Sequence, residues 1–487
     1  MDKITNVLNT DYVSEKARTQ IEVECELKPD SPVISLLGVT ADAIVLSSEG
    51  FKGEVSVNGR VNFKALYVSE EDKIASLDYF SDFRTKIYGD IEVDDKLFGF
   101  GKVVDVEVVT SSNEMIKARA VVEVVVIGAS RREVGYVDGD NLCKKTADVQ
   151  ESVLRTVVEG IFDVEEDYES GERVDKIVLL TTDLVLKEAK PSRGSLLVSG
   201  TAFANITYES DSGIKNLVVD LPFCEELVAE DVTPDDDLYL YGYIKDARII
   251  LTGDEADTNI GVEVTVAVRV PVFEMKNTAI PVDAFCVDRE LKVVTTEGES
   301  YKKSGSWNYE ERLSGSAILP EDAPSIGKII TLADSNDTVT AVNSYNDRIE
   351  VLGSFTSLLI YEDVDGLIRP FKIELPYDVS FEAVGGKAGG ETYVRQAVCE
   401  VTAVAKRARD VEIMYVLKIY AYQCVRERFN YISDIEDCED KIERKPITIY
   451  KRRDGEDKWS VAKALRIDPE NLDFEEERFI VTYRQIE

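Results

Sequence analysis

The 487-residue chain carries 94 acidic against 57 basic residues, a formal net charge of -37, and it has no histidine. So acidic a surface repels nucleic acid and anionic membrane, and without histidine the Ser-His-Asp and Cys-His nucleophile sets, the usual zinc catalytic sites and histidine pH switches drop out. A hydrophobic fraction of 44% supplies folded cores and argues against wholesale disorder.

In chain order, Met1 to Asn9 lacks a charged start followed by an apolar core and does not read as a signal peptide. The longest apolar run, Val121 to Ile127, contains Glu123 and is too short to span a bilayer. Seven cysteines without a C-x-x-C pair argue for free thiols in a reducing compartment; Cys25 and Cys286 read as small buried side chains. The expectation is a soluble, cytosolic protein that does not insert into membranes.

Ile21 to Leu27 alternates apolar and polar residues and predicts a strand, followed by the turn Pro29-Asp30-Ser31-Pro32 and the strand start Val33 to Leu37. This segment recurs at Leu319 to Ile330 and, more weakly, at Val174 to Leu179. Next comes Val57-Asn58-Gly59 with Tyr67 eight residues beyond the glycine, and the pattern returns as Gly200 with Tyr208 and Gly353 with Tyr361. Period two predicts a long, half-buried strand in each copy, with the glycine at a bulge or a close backbone approach. The tyrosines read as core or edge aromatics, with a ligand-stacking platform as the alternative. A later aromatic follows each copy (Phe83, Phe223, Tyr377), and each repeat closes with a long alternating strand, Ala118 to Val126, Val262 to Val272 and Val411 to Ala421. Asp148 to Glu159 fits either a helix or a strand.

Repeated strands joined by short turns predict an all-β fold with three repeated β-sandwich or open-barrel-like domains, residues 1–145, 146–294 and 295–443, as beads or a short packed array. Glu92 to Asp95 and Asp235 to Asp237 occupy comparable places in the first two repeats and read as solvated acidic loops, with calcium binding as the alternative. In the third repeat Gly385 to Gly390 stands there. Arg426 to Lys445 reads as a charged linker. Residues 446–487 then predict a small α+β (βααβ) module. It comprises a strand Pro446 to Tyr450, a turn at Asp454-Gly455, a helix Lys458 to Leu465 capped by Asp457, a second helix started by Asp468-Pro469, and a strand Phe479 to Tyr483.

Gly455-Glu456-Asp457-Lys458-Trp459-Ser460-Val461-Ala462 resembles the LysM family pattern, with Gly455, Trp459 and Ala462 matching and Lys458 standing where the family has leucine. The family's Asn-Pro after the second helix is absent, which speaks against a sugar groove and against glycan binding. The threefold unit resembles the SPOCS domain of spore-forming Firmicutes. It shares the proline turn, the Val-x-Gly with its later tyrosine, and an Asp-Ala-Phe box, Val282 to Phe285, matched loosely by Val137-Asp138 and Ile432-Ser433.

Three such units before a LysM-like module are the layout of a clostridial spore-coat morphogenetic protein. The resemblance implies a non-enzymatic scaffold without cofactor or metal, in the mother-cell cytoplasm at the forespore surface. Its module would engage the sporulation ATPase of the coat basement layer. The candidate partner-binding residues are Lys451, Arg452, Arg453, Asp454, Gly455, Lys458 and Trp459. Trp459 also reads as the module's core anchor, and the Lys451-Arg452-Arg453 cluster could steer an acidic partner, as Glu475-Glu476-Glu477 could pattern the opposite charge. The rival readings are a peptidoglycan-binding LysM protein and a self-assembling β-rich spore-surface or filament subunit. No residues form a nucleophile, base and orienter set, so an enzyme is the least supported class.

Overall fold

The computed structural model describes residues 3–71, 73–253, 258–441, 447–474 and 479–483. Nearly all of them are strand. The first strands are β1 (Lys3–Asn9), β2 (Tyr12–Leu27), β3 (Val33–Phe51), β4 (Glu54–Ser69), β5 (Ile74–Tyr88), β6 (Lys96–Ser111), β7 (Ile116–Ser130) and β8 (Glu133–Gly139). A second set follows as β9 (Cys143–Glu169), β10 (Val174–Ser192), β11 (Ser195–Ser210), β12 (Gly213–Val228), the short β13 (Asp237–Leu238), β14 (Tyr241–Gly253) and β15 (Thr258–Phe285). The third is β16 (Arg289–Ile318), β17 (Ile326–Tyr345), β18 (Arg348–Asp363), β19 (Ile368–Glu382), β20 (Glu391–Arg407) and β21 (Asp410–Lys441). Asp148 to Glu159 is therefore strand. Arg426 to Lys441 is not a linker: it continues β21, and only residues beyond 441 lie outside the described ones.

Each set folds into two antiparallel sheets of one topology, all three-stranded except that the short β13 adds a fourth strand alongside β15 in the second set. The first sheets run β3-β4-β5, β10-β11-β12 and β17-β18-β19; the second run β2-β7-β6, β9-β15-β14 and β16-β21-β20. The glycine-bearing strand is central in one sheet and the closing strand central in the other. That is why both alternate so strictly: Val57, Val61, Phe63 and Ala65 face Ala118, Ala120, Val122 and Val124 in one apolar core.

Register explains the paired glycine and aromatic. Gly59 lies opposite Phe83, Gly200 opposite Phe223 and Gly353 opposite Tyr377. A side chain on any of these glycines would collide with that ring and with a carbonyl of the neighbouring strand (Ile44, Val185, Thr338). The glycine makes room for an aromatic laid flat across it. Tyr67, Tyr208 and Tyr361 are buried core residues, as are Cys25 and Cys286.

The three units are not separate beads. Tyr241, fully buried, is 4.8 Å ring to ring from Phe98 of the first unit and 5.2 Å from Tyr393 of the third, and its hydroxyl meets that of Tyr422. A second seam comes from bulges. The register skips a residue between Leu36 and Gly38, Ile177 and Leu179, and Ile329 and Thr331. The skipped Leu37, Val178 and Ile330 leave their own cores and pack together with Leu66, Leu179 and Ile360.

Beyond the sandwiches, three two-stranded ribbons pack side by side: β1 with β8, and the outer ends of β9 with β15 and of β16 with β21. Val137, Ala284, Ile432 and Ile435 fill the space between them. Among the described residues, no helix is long and apolar enough to cross a membrane.

Candidate functional site

The C-terminal module opens with β22 (Ile447–Lys451), which pairs antiparallel with β23 (Phe479–Tyr483). Between them lies the helix α1 (Lys458–Leu465). Gly455, at φ 88°, supplies the left-handed turn residue before the helix. Tyr450 donates to Glu456 Oε1 at 2.9 Å, and the Arg453 N–H donates to Glu456 Oε2 at 2.8 Å, which fixes that turn. Asp457 is the N-cap and accepts from the Ser460 N–H at 2.9 Å. The Ser460 hydroxyl and amide, with Lys145 next, hold the Asp457 carboxyl down to about 2. Val461 and Ala462 are buried against Leu472 and Ile480. The second helix expected from Asp468-Pro469 is only a single 3-10 turn, Pro469–Asn471: Asp468 caps it as the sequence implies, but Leu472 turns extended at once.

This module sits on the end of β15 and β9. The Trp459 indole donates to Asp283 Oδ2 at 2.9 Å, and its ring lies 5.2 Å from that of Phe285. Lys463 reaches Asp283 at 2.6 Å, Arg466 donates to the Arg289 carbonyl at 2.9 Å and pairs with Glu290 at 3.3 Å, and Lys145 pairs with Asp457 at 3.1 Å. The Asp-Ala-Phe box is thus the seat of the C-terminal module. Asp138 and Asp434 occupy the corresponding places on the other ribbons. All three carboxylates accept from the next residue's N–H, in Gly139, Ala284 and Ile435. Asp138 holds Lys144 at 2.5 Å and Asp434 holds Lys3 at 2.8 Å, where Asp283 holds the module's Lys463.

The candidate partner-binding residues split accordingly. Lys451, Arg453, Asp454, Gly455 and Lys458 are exposed. Arg452 is half-buried, with its guanidinium 4.3 Å from the centre of the Phe474 ring. Trp459 is half-buried and turned towards the second unit, so it is engaged inside the chain. Sequence reasoning missed Ile447 and Ile449, which are 56% and 67% exposed. They share the β22 face of Lys451 at two-residue spacing, and that alternation was the available signal. The Glu475 to Glu477 run lies outside the described residues.

The acidic loops are solvated at Glu92, Asp94 and Asp235, as expected, but each turns one carboxylate inwards. The side chains of Asp95 and Asp236 are each 2% exposed; Asp95 lies 3.5 Å from Lys16 and Asp236 3.4 Å from Arg155. Each also accepts a backbone N–H three residues back, from Glu92 and Thr233. Lys16 and Arg155 are the residues skipped by bulges in β2 and β9, which turns their cations onto the loop. In the third unit the glycine loop is held by the fully buried Gln423, which accepts from Lys387 N at 2.7 Å and donates to Lys387 O at 3.0 Å.

A polar depression lies between the units, lined by Asp42, Asp183, Asn205, Asn336 and Glu400. Burial pushes the Asp183 carboxyl up to about 6 even with Arg395 at 3.9 Å. Burial and the neighbouring Asp42 push Asp334 up to about 7.

The family model described as SipL, SPOCS domain matches residues 173–252. That stretch spans β10, β11, β12 and nearly all of β14, so the second unit carries a SPOCS domain and the chain resembles this family of sporulation proteins. No curated protein and no solved structure matches the chain.

Proposed function

We propose that this chain is a non-enzymatic scaffold of the spore coat, working in the mother-cell cytoplasm at the forespore surface, and that its C-terminal LysM-like module recruits the sporulation ATPase of the coat basement layer. The carrying observation is how the module is presented. Trp459 and Lys463 are committed to the second unit and Arg466 to the start of β16, while Ile447, Ile449, Lys451 and Arg453 remain exposed. An apolar pair flanked by cations suits a protein surface: the isoleucines supply buried area, and the charges set orientation and association rate. The non-enzymatic reading rests on the lack of histidine, which leaves the exposed Cys224 without an imidazole base, and on desolvation, which pushes the buried Cys25 and Cys424 up to about 11.

The test is a binding titration of the full chain against the purified basement-layer ATPase. Ile447→Glu with Ile449→Glu should weaken binding by about a hundredfold, since loss of a central apolar anchor costs 2 kcal/mol or more. The thermal melt should not change. Unchanged affinity, or retention of the full chain on insoluble peptidoglycan through the same residues, overturns the proposal. A fluorescent fusion that stays diffuse in sporulating mother cells overturns the coat assignment.

A further inference from the structure

Four bulges interrupt β17, and three of them recur in β3 and β10. The fourth is confined to the third unit. There Asp334 and Ser335 together stand opposite Ser357, whereas Ala41 alone faces Phe63 in the first unit and Thr182 alone faces Ala204 in the second. The extra residue puts Asp334 in the left-handed region, at φ 52°, which aspartate and asparagine enter more readily than other side chains. The Ser335 and Ser357 hydroxyls meet at 3.0 Å, Ser357 donates to the Ala333 carbonyl at 3.1 Å, and Asn336 Nδ2 donates to Asp334 Oδ1 at 2.7 Å.

This bulge faces the other two units. Asp42 of β3, Lys64 of β4 and Lys372 of β19 are the charges beside Asp334, and Asp78 of β5 faces the same Lys64 and Asp42. Lys64 is buried, lies 3.9 Å from Asp42, and donates from Nζ to the Leu180 carbonyl of β10. One ammonium thus touches the second unit while it balances carboxylates of the first and the third. Asn205 and Leu358 hold its place in the other units, so it has no cationic counterpart there. Lys372 is exposed and shared with Asp105 at 3.6 Å. Elsewhere around the depression the charges are matched, Asp183 with Arg395 at 3.9 Å and Asp337 with Lys102 at 3.4 Å. At the bulge, three carboxylates converge on one buried ammonium.

We propose that the bulge at Asp334 and Ser335 is a proton-operated latch on the junction of the three units: with the Asp334 carboxyl protonated β17 closes on β3 and β4, and its ionisation loosens that contact. Protonated, Asp334 leaves Lys64 to Asp42 and Asp78. Ionised, it sets a further negative charge beside Asp42, with the only buried ammonium already committed to Leu180 and to the first unit's own carboxylates. Burial and Asp42 hold this carboxyl up to about 7. The closed state is therefore fully favoured below about pH 4, the ordinary carboxylate value, and is released as pH rises through about 7. The first and second units, which lack the extra residue, carry no such group at the matching place.

The experiment is amide hydrogen exchange of the full chain at pH 5 and pH 8, with rates corrected for the chemical effect of pH. Residues 331–337 and the facing residues 39–45 should open about tenfold more at pH 8, since each pH unit between the two pKa values changes an opening equilibrium by up to tenfold. Ala118 to Val126, in a central strand, should show no corrected difference. Asp334→Asn keeps a residue suited to the left-handed region and removes the charge, so at pH 8 it should exchange as slowly as wild type does at pH 5. Asp183→Asn, among the matched charges, should leave the difference in place. Corrected exchange at the bulge that is the same at both pH values overturns the proposal. So does a difference that survives Asp334→Asn or disappears in Asp183→Asn, because another carboxylate would then be the one that titrates.

Discussion

The seams among the three units and the seat of the C-terminal module share their kinds of contact and differ in how much aromatic and aliphatic surface they bury. The seams pack Tyr241 with Phe98 and Tyr393 in one place and Leu37 with Val178 and Ile330 in the other, and ion pairs such as Lys73–Glu209 and Lys102–Asp337 also join the units. The seat packs Phe285, with Cys143 and Val287, onto the module's small core of Val461, Ala462 and Leu472, and adds one indole hydrogen bond and the half-exposed pairs of Lys463 and Arg466. Burial of aromatic rings is insensitive to salt, whereas exposed ion pairs contribute about 0–1 kcal/mol each and are screened. The smaller core at the seat predicts that the three units unfold as one block and that the module loosens before the block does.

The strongest way to break the comparison is to loosen a seam. Tyr241→Ala removes a fully buried ring where three units meet and should cost about 3–5 kcal/mol. In a denaturant melt it should split one cooperative transition into two or more; a single, merely shifted transition would show that the seams do not couple the units. Next in size is Lys16→Met, which strands the buried Asp95 carboxylate. Breaking such a pair should cost about 3 kcal/mol, the low end for buried pairs because Asp95 keeps the Glu92 N–H. Gln423→Leu, which removes neutral hydrogen bonds at the equivalent loop, should cost less, about 1–2 kcal/mol.

Asp334 sharpens the comparison through pH. Its folded pKa lies above the ordinary carboxylate value, so its contribution is fully present below about pH 4 and is lost as pH rises through about 7. Asp334→Asn should raise the melting temperature at pH 8 relative to wild type, and the gap should close by pH 4; a gap that is constant with pH would exclude titration of Asp334. The smallest effect belongs to the seat. Lys463→Met should leave the melt of the body unchanged while increasing amide exchange in Lys458–Leu465 by a few fold, and 1 M salt, with a screening length of about 3 Å, should do the same to wild type.

Much of this was legible in the sequence, and the misses share one cause. Strict alternation marked the central strands because both flanks of each are paired and one face is wholly buried, as at Ala118 to Val126. The helix over Lys458–Leu465 was legible because its cap, Asp457, is local. Arg426 to Lys445 read as a linker because, over residues 426–436 of β21, an outlying ribbon buries few side chains and the charges carry no strand period. Asp95 and Asp236 read as solvated because their partners, Lys16 and Arg155, lie some eighty residues away in chain order.

The sequence by itself determined the repeat, the all-β class and a glycine at a close backbone approach, because these follow from the two-residue period and from side-chain volume; the register showed that the approach is to the later aromatic. Only the tertiary structure decided which strands skip a residue. A bulge leaves composition untouched yet moves Leu37, Val178 and Ile330 from their own cores into a shared seam. It also decided that Trp459 faces Asp283 and that Ile447 and Ile449 face outwards, since a period of two sorts side chains onto faces without saying what will cover them.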